Sequence, residues 1–231
     1  MTTANRGINR QQTALLIGIV LLVYMLWATP FVYPLKMLVV FFHEMSHGIA
    51  AVLTGGEIQR IELSPQLGGV CYTSGGWRFA ITSAGYLGSM LWGGIILVAA
   101  ARTRLDTHIM MGLGLFLLAM GLVYVRPIIS FAFIFVFLSA GGMVLAGIYL
   151  GEKMNDFLLR LIGLTSCLYA ILDIKSDAMD RDIPQSDASK IAEYIPLLGG
   201  YAVGAIWIVI SIVVTAFFLW YAATSQVDED A

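Results

Sequence analysis

Residues 33–54 read YPLKMLVVFFHEMSHGIAAVLT, an apolar run long enough to cross a bilayer that carries two histidines and a glutamate near its middle. On a helix, His43 and His47 stand four positions apart and project from one face, so both imidazoles can reach one metal ion. Glu44 lies one step round the helix, beside such a metal rather than on it. Ionisable side chains inside a membrane helix are costly unless something compensates them. The stretch therefore predicts a metal site held by His43 and His47, with Glu44 as the general base.

The rest of the chain is apolar as well. Of its 231 residues, 59% are hydrophobic and only 12% are charged, a composition typical of a protein that resides in a bilayer. A membrane helix needs about twenty apolar residues, and runs of that kind lie at 13–31, 33–54, 80–101, 108–125, 127–150, 157–174 and 197–222. We therefore expect an all-α polytopic membrane protein with about six to seven transmembrane helices, located as a multi-pass protein in the cell (plasma) membrane.

Residues 56–78, between the second and third runs, alternate apolar and polar residues and predict a short β-hairpin. The first run follows two arginines and lacks a clean cleavage site, so 1–31 is interpreted as a signal-anchor helix. With 32–222 as the core and 223–231 as a polar tail, the chain is expected to form a single integral membrane metalloprotease-like domain. An N-terminus placed inside puts most lysines and arginines, including those of the hairpin, on the cytoplasmic side.

The charges restrict the partners. The chain has 13 Lys+Arg against 15 Asp+Glu, so no basic surface is available for nucleic acid. The longest polar stretch, 175–195, is interpreted as an exposed loop with a short helix from Ala188. The expected partners are the lipid bilayer and a membrane-protein substrate, and the sequence leaves the oligomeric state open.

A catalytic zinc usually takes three protein ligands and keeps one position for water, so a third donor is needed. His108 is the remaining histidine, but it follows charged residues at a helix start and is interpreted as interfacial. Asp173 ends an apolar run that is aimed at the same membrane side as His47, which makes it the strongest carboxylate candidate. Asp177, one helical turn later, remains the alternative donor.

These features together resemble a known family, the M50 peptidases, and specifically the M50B-like branch. The resemblance is carried by His43-Glu44-Met45-Ser46-His47, Leu53-Thr54-Gly55-Gly56, Gly68-Gly69 and Ala84-Gly85-Tyr86-Leu87-Gly88-Ser89. The segment around Asp173 and the Ser186-Asp187-Ala188 stretch are also similar to that branch. The likeness therefore covers most of the chain after the first helix.

The resemblance implies a zinc-dependent intramembrane endopeptidase that hydrolyses transmembrane or membrane-associated substrates, with His43, His47 and Asp173 as zinc ligands. Two positions depart from the family pattern. An Asp-Gly pair reads Asp173-Ile174 here, and a Gly-Pro-x-x-Asn pattern ends in Ser89, which becomes a candidate oxyanion or substrate contact. The hairpin is expected to offer a strand edge to the unwound substrate.

Two other functions stay open on the sequence alone. The departures from the pattern are compatible with a proteolytically inactive M50-like metal-binding or scaffold membrane protein. Intramembrane histidines also line ion paths in transporters, although no inverted repeat supports that function here. Metal stoichiometry together with a peptide-cleavage assay separates the three.

Overall fold

The apolar runs form helices and the alternating segment forms a hairpin. In the computed structural model, residues 8–176, 186–195, 197 and 199–224 are described. In chain order the elements are α1 (Arg10–Met25), α2 (Tyr33–Leu53), β1 (Glu57–Ser64), β2 (Gly68–Ser74), α3 (Arg78–Arg102), α4 (Asp106–Tyr124), α5 (Phe131–Tyr149), α6 (Glu152–Lys175), α7 (Asp187–Ala192) and α8 (Gly200–Ala223). The expectation of an all-α membrane protein with a hairpin between its second and third helices is confirmed.

Six of the described helices, α2 to α6 and α8, are long and apolar enough to cross a membrane. They fall into two groups by burial. Within their most apolar windows, 56–61% of the residues of α2, α3 and α6 are buried, against 17–28% for α4, α5 and α8. The first three therefore form the centre of the bundle and the other three present most of their surface to lipid. The motif helix α2 belongs to the protected centre.

The hairpin folds back along α2 instead of projecting from the bundle. Near its base, Ile58 packs against the α2 backbone at Gly48. Near its turn, the Tyr33 hydroxyl at the start of α2 donates a hydrogen bond of 2.8 Å to the Pro65 carbonyl. The two strands pair in antiparallel register from Glu57↔Ser74 to Ser64↔Gly68. This course places β2 alongside the middle of α2, where the histidines lie.

The two outer edges of the hairpin differ. On β1, Ile61 forms a parallel bridge with Val125, and the Arg126 N–H donates a hydrogen bond of 3.1 Å to the Ile61 carbonyl. The chain after α4 therefore covers part of the β1 edge. The β2 edge faces the space beside α2.

The helix α1 begins where the last helix ends. The Asn9 N–H donates a hydrogen bond of 3.0 Å to the Ala223 carbonyl at the end of α8. The carbonyl of Trp27, just after α1, accepts from the Lys36 ammonium in the first turns of α2. Six crossings by α2 to α6 and α8 would return the chain to the side on which α2 starts, and Asn9 would lie on that side too. The 16 residues of α1 rise about 24 Å against a hydrocarbon core of about 30 Å, so this helix is short for a span of its own.

This arrangement fixes the relative placement of the chain ends. We expect reporters of membrane sidedness fused to the N-terminus and to the C-terminus to report the same side. Reporters inserted at 103–105, between α3 and α4, should agree with both, and reporters at 126–130 should report the opposite side. Opposite results for the two termini would mean that α1 crosses the membrane as a signal anchor.

Candidate metal centre

The middle of α2 brings three ionisable side chains into the protein interior. Glu44 and His47 are buried, and His43 is nearly so. The Nδ1 atom of His47 lies 2.6 Å from the Ile81 carbonyl oxygen of α3. Because a carbonyl only accepts hydrogen bonds, we assign the proton to Nδ1, which leaves a lone pair on Nε2. A second hydrogen bond of this kind is how proteins orient metal-binding histidines.

Asp187, the first residue of α7, completes the cluster. Its Oδ2 atom lies 3.0 Å from Nε2 of His43 and 3.0 Å from Nε2 of His47. The donor atoms of the three residues all lie within 4.8 Å of one another. The hydroxyl of Ser186 caps α7 by accepting the Ser189 N–H at 3.2 Å, which holds the start of this short helix.

The donor set and its spacing fit zinc. Two imidazoles and one carboxylate are a usual ligand set for a catalytic zinc that keeps a fourth position for water. Tetrahedral ligands bound at about 2.0–2.1 Å stand about 3.3 Å apart. The 3.0 Å separations between the Asp187 oxygen and the histidine nitrogens are close to that value.

The charge state of Asp187 also suits a metal ligand. Burial by itself raises the pKa of this carboxyl group, but in the absence of metal the imidazoles of His47 and His43, when Nε2 carries a proton, lower it by more, through charge and hydrogen bonds. The net pKa lies below the ordinary value for aspartate. Asp187 is therefore ionised at neutral pH, as a carboxylate ligand must be.

Glu44 is held between the motif helix and β2. A Cβ atom on Gly69 would lie 2.5 Å from Glu44 Cγ and 2.7 Å from Oε1, so only glycine lets the strand approach this closely. The backbone at Cys71 interacts with the Glu44 carboxylate. Burial, with a further contribution from Glu44, raises the pKa of the Cys71 thiol to about 12, so the thiol stays neutral beside the cluster. The strand thus fixes Glu44 without adding a competing anionic ligand.

The helix α3 packs against the rings of His43 and His47. A Cβ atom on Gly85 would overlap Nε2 of His43 and would lie 2.6 Å from Cε1 of each histidine. The α3 backbone therefore rests directly on both imidazoles. The two rings are confined between this backbone and Asp187.

A cavity of about 820 Å³ opens beside the cluster. His43, Glu44, His47 and Asp187 line it together with residues 68–71 and Thr73 of β2 and with Asp173 of α6. The site is thus open to a ligand the size of a peptide segment.

The predicted site residues have different placements. His43, Glu44 and His47 come together as the motif predicts. Asp173 lines the cavity, but the carboxylate that the structure brings within hydrogen-bond distance of both histidines is that of Asp187. The alternative donor, Asp177, lies outside the described residues.

Ser89 lies among the helices, away from the described wall of the cavity. Its side chain is buried, its hydroxyl donates to the Tyr86 carbonyl at 3.0 Å, and its own carbonyl accepts from the Ser166 hydroxyl at 2.6 Å. The second of these hydrogen bonds joins α3 to α6. A contact of Ser89 with an oxyanion or substrate stays a prediction.

Sequence reasoning did not select Asp187 as a donor because it lies in a polar stretch interpreted as an exposed loop. The short helix predicted from Ala188 is present as α7. The signal that could have found the residue was the Ser186-Asp187-Ala188 stretch, one of the segments that carries the family resemblance.

Comparison with known proteins identifies the family of the chain. No curated protein and no solved structure gives a match. Residues 16–222, which include every element from the middle of α1 to the end of α8, match the sequence model of the Peptidase M50B-like family. The chain, a multi-pass integral membrane protein with a candidate metal-binding triad, belongs to the Peptidase M50B-like family.

Proposed function

We propose that the protein is a zinc-dependent intramembrane endopeptidase of the cell membrane, which hydrolyses peptide bonds of transmembrane or membrane-associated proteins. The observation that carries the proposal is the cluster of His43, His47 and Asp187 beside Glu44, at a cavity within a bundle of membrane-spanning helices. Membership of a peptidase family supports it independently.

The roles follow from the placement of the side chains. His43 and His47 would hold zinc from α2, and Asp187 would hold it from α7. When bound, zinc supplies a Lewis acid that lowers the pKa of a water molecule and polarises the substrate carbonyl. Glu44 would act as general base, taking a proton from the attacking water and later delivering it to the leaving amine. Asp173, on the cavity wall, remains a second carboxylate near the substrate.

Substrate binding can use the edge of β2 that lines the cavity, apart from the Cys71 N–H that contacts Glu44. Ile61 directs its backbone groups toward Val125 and Arg126, so its pair with Cys71 is not a hydrogen-bonded pair of the ladder. The backbone N–H and C=O of Cys71 therefore point away from β1. Because these groups alternate along a strand, those of Gly69 and Thr73 point away from β1 as well. All three line the cavity. An unwound substrate segment can pair with this edge as an added strand.

A proline on this edge tests the pairing. Thr73→Pro removes one outward N–H, and we expect the rate of substrate cleavage to fall about tenfold, the effect of one main-chain hydrogen bond. Thr73→Val keeps the N–H and should cleave as the wild type does. Equal rates for the two variants would exclude strand addition at this position while leaving the hydrolytic proposal intact.

Replacing the general base tests the reaction itself. Glu44→Gln keeps the shape of the side chain but cannot accept a proton, so we expect zinc to stay bound and cleavage of a transmembrane substrate to fall about 100- to 10,000-fold. The measurements are zinc per chain by elemental analysis and cleavage by the purified protein in lipid. Cleavage unchanged by the substitution would sink the mechanism.

The same assay separates the second candidate function. A wild-type protein that binds zinc but cleaves no membrane substrate would favour the inactive metal-binding or scaffold protein. The two departures from the family pattern, at Ile174 and Ser89, are the observations behind that alternative.

A further inference from the structure

The two histidines are held in different ways. The Nδ1 of His47 donates to the Ile81 carbonyl, which fixes the orientation of that ring. Within the described part of the chain, His43 makes a single hydrogen bond, from Nε2 to Asp187. That nitrogen is the one that would face the metal. Among the described residues, what orients the His43 ring from behind is therefore packing.

Tyr86 supplies that packing. It is the largest of the fully buried side chains, and it follows Gly85 on the face of α3 that rests on the histidines. Its ring centroid lies 5.3 Å from that of His43, with the two planes at 79°. This perpendicular arrangement is a favoured one for neighbouring aromatic rings.

The same ring reaches the elements that carry the acidic residues. Tyr86 forms a small buried cluster with Ile174 of α6 and Ala188 of α7, and Trp207 and Ile208 of α8 pack against it. Ala188 directly follows Asp187 in the chain. One side chain thus contacts a histidine of α2 and packs in the same buried cluster as the short helix that carries the carboxylate donor.

We propose that Tyr86 is a positioning residue, whose ring sets the orientation of the His43 imidazole and seats α7 so that Asp187 meets the two histidines. This inference rests on the proposed zinc site. It assigns to Tyr86 the orienting task that the Ile81 carbonyl performs for His47. Removing the ring should leave the ligands in the chain but reduce their alignment.

Metal affinity measured on the full-length protein in lipid tests the inference. We expect Tyr86→Leu to raise the zinc dissociation constant about tenfold or more, the effect of losing an orienting contact behind a ligand. Tyr86→Phe, which keeps the ring, should bind zinc as the wild type does. The control is Phe41→Leu, a fully buried aromatic on α2 outside the Tyr86 cluster, which should leave affinity unchanged.

A second measurement is the visible absorption spectrum of the cobalt-substituted protein, which reports ligand geometry. The spectrum should change in Tyr86→Leu and stay as in the wild type in Tyr86→Phe and Phe41→Leu. If Tyr86→Leu does not fold, Tyr86→Met is measured in its place. Wild-type affinity in the variant without the ring would overturn the inference, as would an equal loss in Tyr86→Phe or in Phe41→Leu. A wild-type protein that binds no zinc would instead sink the proposed function, and this inference with it.

Discussion

Asp187→Ala is expected to empty the metal site. Among the described residues, this carboxylate is the donor that reaches both histidines, and without it two imidazoles of a single helix remain in the candidate site. Changes behind a ligand already cost about 10- to 100-fold in metal affinity, so loss of the ligand itself should weaken zinc binding by more than roughly 100-fold. Cleavage should fall below detection. Zinc content after dialysis against a chelator is the measurement.

The matched control is Asp173→Ala. Asp173 is a carboxylate on the wall of the same cavity, and the resemblance to M50 peptidases implied it as the ligand. We expect this variant to retain one zinc per chain under the conditions that strip Asp187→Ala. The reverse pattern, with zinc lost from Asp173→Ala and kept in Asp187→Ala, would return the third position to the residue that the sequence favoured.

The difference between these two carboxylates shows where sequence reasoning succeeds. His43, Glu44 and His47 are separated by at most four positions on one helix, so helical geometry alone predicts that they meet. The spans are equally local, because about twenty apolar residues in a row have few alternatives. Both features were predictable from the residues that form them.

Asp187 required information that no local pattern contains. It stands 144 positions from His43, on a six-residue helix inside a polar stretch. Its position depends on how α7 packs against α3 and α8, which is tertiary structure. The course of the hairpin along α2 is similar: alternation predicted the strands, whereas the Tyr33 contact with Pro65 that folds them back is long-range.

The position of α1 in the fold also depends on a contact between residues far apart in the chain. Its residues are apolar and follow arginines, which favours a signal anchor when the segment is considered alone. The hydrogen bond from Asn9 to Ala223 joins residues far apart in the chain and places the start of α1 beside the end of α8. With six helices crossing the bilayer, Arg10 would lie on the side opposite the start of α3, which would weaken the charge bias used to orient the chain.

Gly85→Ala should separate the chemistry of the site from the stability of the fold. In a helix interior, alanine is favoured over glycine by about 1 kcal/mol, so α3 itself gains from the change. The new Cβ, however, would overlap Nε2 of His43 and would approach His47 Cε1 to 2.6 Å. Asp187 contacts Nε2 of both rings, and the Ile81 carbonyl of the same helix holds Nδ1 of His47, so the rings cannot move away from the new Cβ without losing these contacts.

We therefore expect the thermal midpoint of Gly85→Ala to stay near that of the wild type, while kcat/KM falls at least about 100-fold, as misplacement of catalytic groups by about 1 Å commonly causes. Zinc affinity should fall with it. Gly112→Ala is the matched control, because Gly112 lies within α4 and a Cβ there would meet no atom within 4 Å. If Gly85→Ala retained wild-type zinc affinity and cleavage, the imidazoles would not be confined by the α3 backbone, and the spacing of the three donors would have to be set by α2 and α7 alone.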